Sequence, residues 1–418
     1  MSKKHRVRNL SELTLSALAN TTVSAVGYSI AKENIETNFN LTELDLSLVM
    51  VEINSYLEEN GATNTIYQEL LHLILASDHL QASIRFVCLQ MLLNDNIQCL
   101  VTDIFPFPYY EKILQVIAMQ GKGLRYLNLK GIWLKEDNMN FMLSIIKNLQ
   151  NLYKLVIPYI ATDDLLKHIE IYQKKLQYLD ISGETDITDY GIEYLCTSLS
   201  SQHLTVVDIG TLGEENVCHT DIAALLTRIV NLKSLGNYSF VGKSLMYIRK
   251  NIDPNFISKL QYIHDTETTY NSLDAICKSC PDLKLIYLDS PEPNILHMLA
   301  ALKNLQRLKL YKFNCKEIYT LFESIGRQLN HVTLIKGKSI MDIENIVKNC
   351  PNLIDLDFYM MDGLTYTANY SFNQLQGLEI LNSPLSATSL NNFICNTHRT
   401  LKRLAVDSVA FTDADMAW

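Results

Sequence analysis

Leu124-Arg125-Tyr126-Leu127-Asn128-Leu129 is the phrase that decides the fold, because the chain keeps repeating it. It returns as Leu152-Leu155-Ile157, Leu176-Leu179-Ile181, Leu204-Val207-Ile209, Leu283-Ile286-Leu288, Leu305-Leu308-Leu310, Leu329-Val332-Leu334, Leu353-Leu356-Phe358 and Leu401-Leu404-Val406. Weaker copies begin at Leu232, Leu260 and Leu378, so that the opening leucines are spaced by 22 to 28 residues from Leu124 onward. Successive side chains of an extended segment alternate between its two sides. The second and third apolar residues of each copy therefore point together into a core, and the residues beside them point away from it.

A period of this length is the signature of a leucine-rich repeat, in which each unit packs only on its neighbours and the core grows along one axis. The expected fold is an α/β leucine-rich-repeat solenoid of the ribonuclease-inhibitor-like type. Parallel strands line its concave face, helices its convex face, and a helical segment precedes the array. The return segments read as helices. In Thr188–Leu195, Thr188 is placed as an N-cap, with Ile192 and Leu195 on one face. Ser339, with Asp342 three residues later and then Ile343, Ile346 and Val347, opens another. Thr162–Leu166 and Ser389–Phe393 fit the same reading. Asn349-Cys350-Pro351-Asn352-Leu353 and Ser279-Cys280-Pro281-Asp282-Leu283 are nearly one pentapeptide, whose proline stops a helix and sets up the next strand.

Upstream of residue 120 the pattern weakens. Leu41-Leu44-Leu46, Leu70-Leu73-Leu75 and Ile97-Leu100 lead in register to Leu124 with spacings of 29, 27 and 27 residues, which places the start of the array near residue 40. The organisation expected is a helical cap or adaptor-docking segment over 1–40, degenerate repeats over 41–123 and the main array over 124–418. A rival reading makes 66–93 one long buried helix. The two prolines of Phe105–Tyr110 predict a loop. Phe411–Met416 resembles the opening of a further helix; either Trp418 closes the core or the natural chain is longer.

Composition narrows the function. Apolar residues make up 48% of the chain, enough for a continuous core. A net charge of −9 argues against nucleic acid as the main partner, since phosphate binding needs clustered Lys and Arg. The basic run of Lys3, Lys4, His5, Arg6 and Arg8 reads as a short tail. Nine scattered cysteines read as reduced thiols in the cytoplasm or nucleus, and Ser11, Glu12, Thr14 and Ser16 make Leu10–Ala19 too polar for a secretion signal. No run of eighteen apolar residues exists to span a membrane. Cys277-Lys278-Ser279-Cys280 lacks a second ligand pair, and Cys280 shares its repeat position with Cys350, so a structural role is expected and no metal. Neither a phosphate-binding glycine loop nor a nucleophile elbow is present, and no catalysis or cofactor is expected.

The expected function is protein binding on the concave face. Beside the core leucines stand Tyr126, Tyr178, Asp180, Asp208, Tyr262, Tyr287, Asp289, Arg307, Lys309, Tyr311, Asp355, Asp357 and Tyr359. Tyrosine and arginine dominate protein-protein hot spots, although tyrosine also suits any strand. The alternation of Asp180 and Asp208, then Arg307 and Lys309, then Asp355 and Asp357 would complement a partner of interspersed charge.

The cysteine-proline joins, together with Ile187-Thr188-Asp189-Tyr190-Gly191-Ile192, resemble the cysteine-containing repeats of F-box/LRR proteins over about residues 120 to 418. Asn9-Leu10-Ser11-Glu12-Leu13-Thr14-Leu15-Ser16-Ala17-Leu18 resembles the Elongin-binding box of VHL-box ubiquitin-ligase receptors. Leu10 and Leu18 match that box, while Asn9 and Thr14 depart from it, Thr14 standing where that family has cysteine. The resemblance implies substrate selection for a cullin-type ubiquitin ligase. Leu10, Leu13 and Leu18 would contact an Elongin or Skp1-type adaptor, and the concave face would hold a protein substrate. The alternatives are a free-standing inhibitor or scaffold, whose first helix only caps the core, and a GTPase-activating protein using Arg307 or Arg327.

Overall fold

From Leu124 onward, the repeated phrase forms parallel strands. The computed structural model describes residues 10–36, 43–134, 139–183, 186–211, 217–367, 369–397 and 399–407, within two compact units, Met1–Leu204 and Thr205–Trp418. The segments around Lys3–Arg8 and Phe411–Trp418 lie outside the described residues. The fold is a leucine-rich-repeat solenoid preceded by helices. No helix among the described residues is long and apolar enough to cross a membrane.

The first unit opens with α1 (Leu10–Glu36), α2 (Glu43–Glu59), α3 (Asn64–Leu75) and α4 (Ala82–Leu92). Helix α1 packs on α3 and α4, and its buried Ala19, Thr22, Val26 and Ile30 are spaced three or four apart as a helical face requires. Of the three upstream copies the first two are helical, Leu44 and Leu46 lying in α2 and Leu70, Leu73 and Leu75 in α3, whereas Leu100 of the third lies in a strand, Cys99–Val101, paired in register with Leu127. A helix is open to the phrase because its first two leucines are three apart, a spacing that a helix also aligns. In α3 the buried set is Tyr67, Leu70, Leu71, Ile74 and Leu75, whereas Leu73 is 37% exposed. The single long helix over 66–93 is corrected as well, since α3 and α4 are separate helices.

Strands begin at β1 (Cys99–Val101) and continue with β2 (Tyr126–Asn128), β3 (Lys154–Val156) and β4 (Tyr178–Asp180), all parallel, with Cys99, Tyr126, Lys154 and Tyr178 in one row. Between them run α5 (Tyr110–Gln120), α6 (Met139–Asn148) and α7 (Asp163–Tyr172), and α8 (Asp189–Thr197) follows β4. The predicted loop at Phe105–Tyr110 contains a short 3₁₀ turn, Phe107–Tyr109, running into α5. Thr162 and Thr188 cap α7 and α8 with their hydroxyls, accepting from Leu165 and Tyr190 N–H at 3.3 Å each.

Among the described residues no strand precedes the edge strand β1, and Gln68 of α3 stands in for one. Its side-chain carbonyl accepts from Gln98 N–H (3.1 Å) and Cys99 N–H (2.9 Å), and its amide donates to the Cys99 carbonyl. Buried Arg85 of α4 donates to the Leu75 and Ile104 carbonyls and lies 4.4 Å over the ring of buried Phe105, joining the helices to the first loop.

The second unit holds β5 (Val206–Asp208), α9 (His219–Arg228), α10 (Val241–Asn251), β6 (Tyr262–Thr266), α11 (Tyr270–Ser279), β7 (Leu285–Asp289), β8 (Arg307–Tyr311), α12 (Cys315–Ile325) and β9 (His331–Ile335). It continues with β10 (Met341–Asp342), α13 (Glu344–Asn349), β11 (Asp355–Tyr359), β12 (Leu364–Thr365), β13 (Gly377–Leu381), α14 (Ala387–Thr397) and β14 (Arg403–Val406). A parallel sheet runs β6-β7-β8-β9-β11-β13-β14, and bridges through Ser234 tie β5 to β6. Ile286, Leu288, Leu308, Leu310, Val332, Leu334, Leu356 and Phe358 are all buried on its inner face, where each contributes roughly 1.5–3 kcal/mol.

The cysteine-proline joins have one geometry. Cys280 and Cys350 are buried C-caps that donate to Ile276 and Ile346 carbonyls and accept from Leu283 and Leu353 N–H. The helix expected to open at Ser339 begins only at Glu344. The preceding Met341 and Ile343 amides donate to Gly363 and Thr365 carbonyls in the small β10-β12 pair, and Ser339 sits at φ 79°.

Asp265 occupies the third apolar position of the copy that begins at Leu260, and it is 2% exposed. Its carboxylate accepts from Gly242 N–H (2.7 Å) and the Thr268 hydroxyl (2.8 Å), fastening β6 to the first turn of α10. Burial raises its pKa to about 6, against the lowering effect of these bonds and of Lys243. An acid whose folded pKa is raised adds stability below its unfolded pKa, near 4, and loses that stability as pH climbs through the folded value. Between about pH 4 and pH 6.5 the wild type should therefore lose on the order of 2 kcal/mol more than Asp265→Asn. Urea denaturation of both chains at the two pH values measures the difference, and parallel profiles would sink the assignment.

Candidate functional site

The residues beside the core leucines form the open face of each sheet, and the parallel register sorts them into rows. In the first unit the row Tyr126, Lys154, Tyr178 places the Lys154 ammonium 4.6 Å from one ring and 4.3 Å from the other. An ammonium between two aromatic faces is held by the ring quadrupoles. Lys154 went unread in the sequence, although it occupies the position of Tyr126 and Tyr178.

Two of the expected acidic residues, with Asn128 beside them in the same pattern, build turns. Asn128, Asp180 and Asp208 each accept with Oδ1 from the backbone N–H two residues on, of Lys130 (2.9 Å), Ser182 (3.0 Å) and Gly210 (2.9 Å). These are Asx turns that end three-residue strands. Asp208 also accepts from Asn237 N–H at 3.2 Å.

The second unit brings Tyr262, Tyr287, Asp289, Arg307, Lys309, Tyr311, Asp355, Asp357 and Tyr359 onto one face. His264 on β6 stacks on Tyr287 with centroids 4.2 Å apart and 11° between planes, and Lys309 on β8 places its ammonium 4.2 Å from the same ring. Farther along, Lys336 donates to the Tyr311 hydroxyl at 3.0 Å, and Lys312 lies 5.2 Å from that ring. Burial lowers the pKa of His264, helped by Lys309; burial and Arg307 lower that of His331.

Beyond β9 the face turns acidic. Asp355 receives His331 Nε2 at 2.8 Å and the Arg403 guanidinium, which reaches it from two strands away. Gly377 lies between these strands, where a Cβ would collide with the Asp355 carboxylate and stand 2.8 Å from Arg403. Asp357 and Glu379 oppose each other in register. Thr333 donates to Asp357 at 3.0 Å and Tyr359 to Glu379 at 2.7 Å. Burial raises the Asp357 pKa, with Glu379 and Asp355 adding to it; burial and the Glu379 carboxylate raise that of Tyr359. His331, Thr333, Gly377, Glu379 and Arg403 also went unread, though each flanks Val332, Leu378 or Leu404 in the same pattern.

Of the expected docking residues on α1, Leu13 is 51% exposed and Leu18 is half-buried. Leu18 lines a groove of about 230 Å³ with Ala25 of α1 and Ile53, Tyr56 and Leu57 of α2. The Leu10 side chain lies outside the described residues.

No family model matches the chain. Among solved structures it is similar to a yeast complex of Rad7 and Elc1, with 15% identity, 89% of this chain and 98% of that chain covered, and a TM-score of 0.46. It is also similar to a leucine-rich-repeat protein of Leptospira interrogans, with 16% identity, coverage of 82% and 86%, and a TM-score of 0.35. The repeat architecture rests on this chain's own strands and registers.

The Asp355–Arg403 bridge depends on the missing side chain at Gly377. Gly377→Ala should cost about 1–3 kcal/mol, whereas Arg403→Ala, at an exposed guanidinium, should cost within about 1 kcal/mol. In the Arg403→Ala background part of the Gly377→Ala penalty should disappear, because one of the two crowded groups is gone. Equilibrium urea denaturation of the four chains gives the coupling; strict additivity would separate the two sites.

Proposed function

We propose that this protein is a substrate-recognition subunit of a cullin-type ubiquitin ligase. The start of α1 docks an Elongin or Skp1-type adaptor, and the open face holds a protein substrate. One observation carries the reading: the sealing of the array is done by residues other than the docking leucines. α1 packs on α3 and α4 with Ala19, Thr22, Val26 and Ile30 buried, and Gln68 satisfies the edge of β1. Leu13 is exposed on the earlier turns, and Leu18 borders an apolar groove. Apolar side chains that a helix leaves exposed or only half-buried suit a helix-in-groove contact. The tyrosines and cations of the open face supply the rigid contact area that substrate capture needs.

Affinity purification from cells, comparing wild type with Leu13→Glu/Leu18→Glu, tests the adaptor contact. The variant should lose a cullin adaptor, and Leu13→Glu alone, at an exposed position, should lose it with a melting temperature within about 3 °C of wild type, since a surface substitution changes stability little. A variant that melts several degrees lower and loses no adaptor would make α1 a cap and leave a free-standing scaffold.

A further inference from the structure

We infer that the β7–β9 part of the open face binds an acidic peptide segment. This rests on the open face being a protein-binding surface, and it names the chemistry that the face selects. The second unit pairs its charges unevenly. Each carboxylate of the face already has a donor of its own: Asp289 has the Ser290 hydroxyl, Asp355 has His331 and Arg403, Asp357 has Thr333, and Glu379 has Tyr359. The cations are different. Among the described residues, Arg307, Lys309, Lys312 and Lys336 form no ion pair with a carboxylate, in a chain whose net charge is −9. Lys309 rests on Tyr287, and Lys312 and Lys336 rest on Tyr311.

A ring holds an ammonium in place without neutralising it, so the charge stays available and little side-chain entropy is lost on binding. Arg307 and Lys309 lie two residues apart on one side of β8, about 7 Å. Lys312 and Lys336 follow just past the ends of β8 and β9. The charges thus run from Arg307 through Lys309 to the Lys312 and Lys336 pair at Tyr311, which matches carboxylates distributed over an extended segment. Asp357 and Glu379 begin two strands from β8, roughly 10 Å away, and would repel a continuous polyphosphate. A short acidic segment meets the cations and stops before these acids.

The test is fluorescence anisotropy on the full chain with a fluorescein-labelled dodecapeptide of alternating Glu and Gly. A Lys-Gly peptide and a single-stranded oligothymidylate of equal length serve as comparisons. The Glu-Gly peptide should bind more tightly than either, and more weakly as salt is raised. Lys309→Glu/Lys336→Glu should weaken it by about tenfold or more, whereas Asp357→Asn should not weaken it. Lys309→Gln/Lys336→Gln gives the same comparison if the charge reversal unfolds the chain. Equal affinity for the Glu and Lys peptides, or binding unchanged by both lysine pairs, would overturn the inference. Tighter binding of the oligothymidylate would also overturn it, in favour of nucleic acid. No adaptor takes part here, so failure with adaptor capture intact removes only this inference. Peptide binding without any adaptor would remove only the ligase link.

Discussion

A single backbone contact, repeated, sets nearly everything else. The carbonyl that precedes each strand accepts two N–H groups from the next repeat: Gln98 from Arg125 and Tyr126, Arg125 from Tyr153 and Lys154, Lys284 from Gln306 and Arg307, Gln306 from Asn330 and His331, Ile354 from Gln376 and Gly377. This shared acceptor fixes the register of each parallel pair with no freedom to slip, and a one-residue slip would turn the leucines out of the core. It also means that equivalent residues of successive repeats stand side by side. The Tyr126-Lys154-Tyr178 sandwich and the His264-Tyr287-Lys309 stack exist because the backbone has no alternative alignment.

A ladder of this kind must be closed where it starts, and the first unit shows how a helix does so. A glutamine carries one acceptor and one donor at the spacing of a peptide group. Gln68 presents both to Cys99, so a side chain projecting from α3 satisfies the edge that a further strand would otherwise pair. This explains why the repeat array can start abruptly at Cys99 after four helices, and why no strand is needed among residues that carry repeat-like leucines.

Legibility in the sequence followed the same physics. The strands from Tyr126 onward were readable because period two and the long repeat reinforce each other, and because buried leucines tolerate few substitutes. The copy at Leu70 misled because Leu70 and Leu73 are three apart in a strand phrase and in a helix alike, and only the burial of Tyr67, Leu71 and Ile74 separates the two, whereas the copy at Ile97-Leu100 leads into a strand. Asp265 was unreadable as a core residue, since a carboxylate in a leucine position is stable only through the Gly242 and Thr268 donors, which the fold supplies from elsewhere. The open face was read at the strands whose phrases were cleanest. It was missed at Lys154, His331 and Arg403, whose partners lie one or more repeats away and are set by register alone.

The strands of the second unit end in a way that the sequence does not advertise. Glu267, Ser290, Lys312, Lys336, Met360 and Asn382 follow six strands, and all adopt a left-handed backbone with φ between 51° and 53°. Outside glycine this conformation costs roughly 1 kcal/mol per residue, somewhat less for asparagine. It persists because the N–H of each of the first five donates to the last strand carbonyl of the next repeat, as Lys312 does to Ile335 and Lys336 to Tyr359. One bond in a water-accessible turn is worth about as much as the strain, so neither alone would fix the turn. Repetition supplies the difference, since each turn both receives and presents a ladder partner and cannot relax without disturbing two neighbours. The same turns carry Lys312 and Lys336 beside Tyr311, so the placement of these two cations follows from the backbone ladder more than from any contact of their own.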